Sequence, residues 1–217
     1  MGLAIFDLDN TLLGGDSDYL WGQFLVEQGI VDGDHYEREN ERFYEEYKAG
    51  ALDILEFLNF SLKPLSEHPM DQLLRWREQF MRKKIDAIIL PRARALVEEH
   101  RAQGHHLLII TATNAFVTRP IAEAFGITDL LATEPEIRDG RYTGRVAGTP
   151  CFREGKVERL EQWLKSEGLN LAGSWFYSDS HNDLPLLELV THPTAVDPDD
   201  TLAQHAEMKG WPILSLR

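Results

Sequence analysis

Four short apolar runs, at 3–6, 106–110, 174–177 and 194–196, are too brief and too unbroken to be amphipathic helices. Helical patterns lie between them, at 93–103, at 115–125 closed by Gly126, and at 156–167 closed by Gly168. A glycine just past a periodic segment is a helix stop, because it takes the left-handed conformation at no steric cost. Strands buried on both faces and alternating with helices predict an α/β fold built on one parallel sheet.

One interval breaks this rhythm. From about Asp16 to about Asp86 there is only helical patterning, at 19–28, 35–49, 54–62 and 70–84. The spacing predicts an all-helical insertion over 16–85, with the main domain formed by 1–15 and 86–217. Trp21, Phe24, Phe43, Tyr44, Phe57, Phe60 and Trp76 read as the insertion's own core. The stretch "EIRDGRYTGRV" reads as a β-hairpin turning at Asp139-Gly140.

Composition narrows the partners. With 217 residues, 43% hydrophobic and 27% charged, the chain has the balance of a globular protein. A formal charge of −14 argues against nucleic acid or an anionic membrane, which need a basic footprint. It leaves room for a small phosphorylated metabolite if a metal ion or a few local cations neutralise the phosphate. The single cysteine, Cys151, cannot form an internal disulfide, which suits a reducing compartment. The N-terminus lacks the features of a signal peptide, and no apolar run is long enough to span a bilayer, so a cytoplasmic protein is expected. Nothing in the pattern speaks to oligomeric state.

Asp7, Thr111 and Asp179 each stand at or just past the end of an expected strand. Ligands of open α/β sheets bind outside the strands' carboxyl ends, so three distant segments deliver polar groups to one edge. The pattern Asp7-x-Asp9-x-Thr11 alone could be a strand-ending turn. "YSDSHNDLPLL" adds Asp179 and Asp183, four apart across a loop that enters a helix; Asn182 or Asp183 could cap that helix. Several carboxylates at one sheet edge repel unless a cation joins them, and hard oxygen ligands that retain water describe Mg²⁺ better than Zn²⁺. Lys156 opens a helix, where the dipole disfavours it, and so is expected to face an anionic site. Thr111 heads "TATN" and could cap the next helix, with Thr113 and Asn114 as rivals; its hydroxyl and the following amides could receive an anion. The eight histidines show no zinc-ligand spacing, and His181 stands out only for lying in the acidic loop.

The set Asp7-x-Asp9-x-Thr11, Thr111, Lys156 and Asp179 with Asp183 resembles the four ordered motifs of the haloacid dehalogenase superfamily, and the likeness covers the whole chain. The resemblance implies a Rossmann-like core with an inserted helical cap of type I. Asp9 implies phosphatases or phosphomutases within it, since an alkoxide leaving group needs a proton that a second carboxyl can donate. It further implies Asp7 as the nucleophile that forms an aspartyl-phosphate and Asp9 as general acid and base. Mg²⁺ would be held by Asp7, the Asp9 carbonyl and Asp179, with Asp183 orienting a bound water. Thr111, Ala112, Lys156 and Asn182 would bind the phosphoryl group.

The chain also resembles the branch containing phosphoserine phosphatases, in which an acid after the first motif binds the substrate's ammonium group. Asp16 stands in that place with Asp18 beside it, and either could instead cap the first cap helix. An "RVSLL"-like stretch, which supplies that branch's carboxylate-reading arginine, is absent here. "DSDYLW" resembles a bacterial group that includes histidinol-phosphate phosphatases. The expected substrate is therefore histidinol phosphate, with phosphoserine or another small amino phosphate as the alternative. A silent phosphate-binding protein on this fold is disfavoured, because all the catalytic residue types are present.

Overall fold

The computed structural model describes residues 2–217; Met1, the first residue of the expected core, lies outside the described residues. Six strands form a wholly parallel sheet: β1 (Leu3–Phe6), β2 (His106–Asn114), β3 (Asp129–Thr133), β6 (Trp175–Ser178), β7 (His192–Val196) and β8 (Ile213–Leu214), in the order β3-β2-β1-β6-β7-β8. Alternation along β1 explains why the run is apolar throughout. Ala4 and Phe6 pack with residues of α6 (Pro91–Ala102) and α7 (Ala115–Ala124). Leu3 and Ile5 face the opposite side, with residues of α8 (Glu154–Glu167), α9 (Leu184–Leu187) and α10 (Asp200–Lys209).

The interval between β1 and α6 is helical, as the pattern predicts: α1 (Ser17–Glu27), α2 (Gly33–Lys48), α3 (Ile54–Ser61), α4 (Lys63–Glu67) and α5 (Met70–Phe80). The helix expected over 70–84 is α5 followed by one wider π-helical turn, Met81–Ile85. The chain leaves β1 and returns to α6 through two segments that pair antiparallel at Leu13 and Ile89, with the Gly14 amide donating to the Ile88 carbonyl at 2.7 Å. The aromatic stripe is only partly a private core. Trp21, Phe24 and Phe80 belong to the same apolar cluster as Phe6, Phe116 and Ile121 of the sheet domain. A smaller cluster of Phe43, Leu52 and Phe152 joins the helical segment to the chain before α8.

Pro120 sits inside α7 and cannot donate to the Phe116 carbonyl four residues earlier. Arg77 of α5 fills the vacancy: its Nη1 donates to that carbonyl at 3.0 Å, and its guanidinium lies 4.9 Å from the centre of the Phe116 ring.

Two strands escaped the sequence reading. β8 is two residues long, and β3 opens on Asp129 and ends on Thr133, which leaves an apolar run of 130–132 only. β2 also runs four residues past its expected end at Ile110, with a register irregularity against β3 between Ile110 and Asn114. The hairpin is as expected, with β4 (Pro135–Arg138) pairing antiparallel to β5 (Arg141–Val146) around Asp139-Gly140.

Candidate active site

Phe6 of β1 is level with Ile109 of β2 and Tyr177 of β6, so residues 7, 110 and 178 share the next rung at the carboxyl edge. The Asp7 amide donates to the Tyr177 carbonyl at 2.9 Å, fixing Asp7 beyond the last apolar layer. The structure brings Asp7, Asp9, Thr11, Thr111, Lys156, Asp179 and Asp183 to this one edge.

Lys156, on the first turn of α8, is 3% exposed and explains why a lysine tolerates a helix N-terminus. Its Nζ lies 2.8 Å from Asp7 Oδ1 and 2.7 Å from Asp183 Oδ1. Burial works to discharge it, but the carboxylates of Asp183 and Asp7 more than reverse that and hold it protonated. Asp183 also accepts from the Ser178 hydroxyl at 2.7 Å, and its carboxylate makes no capping bond to α9. Burial pushes the Asp7 carboxyl up to about 7, with Lys156 opposing and the charges of Asp183 and Asp9 adding to the rise. Thr11 Oγ1 lies 3.3 Å from Asp7 Oδ2 and 3.0 Å from Asp179 Oδ1, and it accepts the Asp179 amide at 3.1 Å. It is a brace between two loops.

Asp9 is held from both sides. Its Oδ1 accepts the Ser17 amide at 2.6 Å, and its Oδ2 accepts the hydroxyls of Thr113 at 2.8 Å and Thr111 at 3.4 Å. Burial raises its carboxyl, while the Ser17 and Thr113 bonds limit the rise. A carboxyl held near Asp7 and biased toward its protonated form is suited to giving up a proton.

Of the three candidate caps in "TATN", Asn114 is the one, accepting the Val117 amide at 3.2 Å. Thr111 and Ala112 therefore lie in the irregular end of β2 rather than at a helix terminus, because the β-branched pair Thr111 and Thr113 keeps the chain extended. The anion-receiving helix end expected there is corrected to a strand bulge. Asn182, expected on the phosphoryl group, has both amide hydrogens directed elsewhere, at the Tyr47 carbonyl and Ser180 Oγ, each 3.2 Å away. His181 is tied to Asp199, whose Oδ2 lies 2.8 Å from both its Nδ1 and its amide nitrogen.

Above Asp7 and Asp9 lies a cavity lined on the helical side by Asp16, Asp18, Tyr19, Phe43, Tyr44 and Tyr47, with no lysine or arginine among its described lining residues. Asp16 caps α1, its Oδ1 accepting the amides of Asp18 and Tyr19 at 2.9 and 2.8 Å. Asp16 also lines the cavity. Asp18 makes no such cap; burial and the charge of Asp9 push its carboxyl up to about 7. Phe43 and Tyr44, expected in the insertion's own core, and Tyr47, which no pattern singles out, line the cavity because which helical face meets the sheet edge depends on tertiary packing. The alternation of Thr111 and Thr113 could have indicated that both hydroxyls reach Asp9.

The donor set suits Mg²⁺. Burial raises the carboxyl of Asp7, with the charge of Asp183 adding to the rise, and Asp179 is held well above the usual carboxylate range by burial and then by Asp7 and Asp183. Among the described residues no three acidic, histidine or cysteine side chains converge closely enough to chelate a metal alone. A hard cation that keeps several waters needs only two carboxylates and a carbonyl, which is what this edge offers.

Comparison with known proteins places this edge in a family. Residues 4–188 match the model of the haloacid dehalogenase-like hydrolases. The chain is 47% identical to a histidinol-phosphatase of Neisseria meningitidis, over 99% of both proteins. A solved protein of unknown function from Bordetella pertussis superposes with a TM-score of 0.94 at 47% identity, covering 99% of this chain and 98% of that one. A phospho-aspartyl intermediate analogue of phosphoserine phosphatase shares the fold, with a TM-score of 0.72 at 20% identity over 100% of this chain and 93% of that one. The matched residues run from β1, which presents Asp7 and Asp9, to the helix that follows Asp183, and the chain belongs to the haloacid dehalogenase-like hydrolase family.

Proposed function

We propose that this enzyme, a phosphatase of that family, is a Mg²⁺-dependent phosphomonoesterase that hydrolyses histidinol phosphate through an aspartyl-phosphate, with residues 16–85 acting as a cap over the substrate. The observation that carries the substrate is the helical side of the cavity: two carboxylates, Asp16 and Asp18, and three tyrosines, with no cationic side chain among the described lining residues. Such a lining favours a leaving alcohol that bears an ammonium group and a flat ring. It opposes a carboxylate, which would enter without a partner beside Asp16 and Asp18. The Neisseria relative's name agrees with this reading.

Asp7 attacks phosphorus as Lys156 holds its other charge partner, Asp183, in place. The P–O bond to the alcohol breaks, and Asp9 gives its proton to the departing oxygen. Asp9 then takes a proton from water, whose oxygen attacks phosphorus and frees Asp7 and inorganic phosphate. Thr111, the Ala112 amide and Lys156 stabilise the charge spread over the phosphoryl oxygens. Asp7, the Asp9 carbonyl and Asp179 would hold Mg²⁺, with Asp183 orienting a water, and the ion would supply further charge neutralisation for the phosphoryl group.

A panel of phosphate esters tests the substrate. Histidinol phosphate should exceed phosphoserine in kcat/KM by about 100-fold, the scale expected when a buried group is left unpaired. Phosphoserine turning over faster would overturn the substrate assignment. Chelation with EDTA should abolish turnover and added Mg²⁺ restore it; activity that survives exhaustive chelation would remove the metal from the mechanism.

A further inference from the structure

Tyr47 stands near the C-terminal end of α2, in the cap, and lines the same cavity as Asp7 and Asp9. Its ring centre lies 6.1 Å from that of Phe152, on the core side of the junction. The other two cavity tyrosines are engaged elsewhere: the Tyr19 hydroxyl bonds Glu41 at 2.6 Å, and Tyr44 stacks on Tyr19 with Lys48 over its ring. Tyr44 feels Asp16 and Asp179, whereas Tyr47 lies in the field of Asp7 and Asp183 as well as Asp179. Burial, with Asp179, Asp7 and Asp183 nearby, pushes its phenol well above the ordinary range, a hydrogen bond with Ser180 limiting the rise, so it keeps its proton as a neutral donor.

The backbone around Tyr47 is fastened to the core by Asn182 and Arg153. Asn182 Nδ2 donates to the Tyr47 carbonyl at 3.2 Å, and Asn182 Oδ1 accepts Arg153 Nε at 2.9 Å. Arg153 Nη2 donates to the Gly50 carbonyl. Arg153 carries this out from a left-handed backbone, φ 50°, which a non-glycine residue adopts only when its surroundings enforce it. Gly50 is left-handed too, φ 67°, and a Cβ there would sit 2.6 Å from His181 Nε2 and 3.3 Å from Arg153 Nη2. The junction thus admits only glycine, and one arginine and one asparagine fix where the end of α2 stands over the site.

The phosphoryl group that reaches Asp7 spreads charge over three equatorial oxygens. Lys156, Thr111 and the Ala112 amide approach from the sheet, so a donor on the cap side completes the surround. We propose that Tyr47 is a catalytic residue whose phenol donates a hydrogen bond to the phosphoryl group during transfer to Asp7, and that the Arg153–Asn182 clamp is its positioning device. This rests on the phosphatase reading above. It makes phosphoryl transfer depend on the cap being seated, so a cap standing open leaves the phosphoryl group short of one donor.

The test is steady-state kinetics of Tyr47→Phe, Arg153→Ala, Arg153→Lys and the Tyr47→Phe/Arg153→Ala double variant, with folding checked by circular dichroism. The substrates are histidinol phosphate and 4-nitrophenyl phosphate. Tyr47→Phe should lower kcat by about 30-fold, somewhat less than the loss of a fixed backbone or amide donor, with KM changed less than about threefold. The loss should be equal for both esters, because the bond is to the phosphoryl group and not to the leaving alcohol. Arg153→Ala should reproduce most of the loss with the phenol intact, Arg153→Lys should recover part of it, and the double variant should fall no further than Tyr47→Phe. A kcat within twofold of wild type for Tyr47→Phe overturns the catalytic role. Additive losses in the double variant overturn the clamp. If Arg153→Ala does not fold, Arg153→Lys carries the same comparison. Asp7→Asn separates the two levels: if wild type has no phosphatase activity, or keeps it in Asp7→Asn, the underlying reading fails. An active, Asp7-dependent enzyme indifferent to Tyr47→Phe fails this proposal alone.

Discussion

Asp7→Asn should reduce kcat by at least about 10⁴-fold, the scale seen when a covalent nucleophile is removed, while the folded protein survives. The reasoning separates chemistry from stability. Burial holds the Asp7 carboxyl up near 7, so its ionised form is disfavoured in the fold relative to the unfolded chain. Asparagine keeps the shape, removes a charge that Asp183 and Asp9 oppose, and leaves Lys156 paired with Asp183 at 2.7 Å. The melting temperature at pH 8 should therefore not fall, as befits a site that holds strained charge for function. Turnover retained in Asp7→Asn would end the case for Asp7 as nucleophile.

Lys156→Met should do the opposite: it should damage the fold as well as the reaction. Lys156 is the cation shared by Asp7 and Asp183, and all three side chains are at least nine-tenths buried. Removing one member of a buried ionic cluster leaves the other charges uncompensated, at a cost of about 3–5 kcal/mol. In metal-free buffer the deficit should depend on pH in a definite direction. Without the lysine the carboxyl of Asp7 rises further, so the folded protein binds more protons than the unfolded chain, and stability must increase as pH falls. Denaturant melts at pH 8 and pH 5.5 would show the variant recovering part of its loss at the lower pH. A deficit that is the same at both, or larger at pH 5.5, would mean the lysine does not neutralise this pair.

How much of this was legible in the sequence depends on where each residue gets its position. Asp7, Thr111 and Asp179 follow strands whose apolar runs are plain, and a parallel sheet sends all such ends to one edge. Lys156 was legible through a local conflict, a cation where the helix dipole asks for an acid. Which of Thr111, Thr113 and Asn114 caps the next helix stayed open in the sequence, because the four-residue extension of β2 is decided by pairing with β3, whose apolar run is 130–132 only. The phosphate role expected for Asn182 gave way to the cap junction, since its amide reaches a carbonyl 135 residues away in the chain. Tyr47 and Arg153 were invisible for the same reason. Nothing in a helix's own periodicity tells which of its tyrosines will overlook a sheet belonging to a different part of the chain.

Pro120 carries a last consequence. A proline inside a helix ordinarily counts as a local defect, but here the carbonyl it leaves bare is the acceptor that Arg77 takes from the cap. The flaw in one helix is a socket for another, and its vacancy can be filled only from outside α7. A residue at 120 with an amide hydrogen would let α7 close its own bond, and Arg77 would then share that carbonyl with it. Helix regularity and the attachment of the helical insertion therefore draw on one and the same carbonyl at this point.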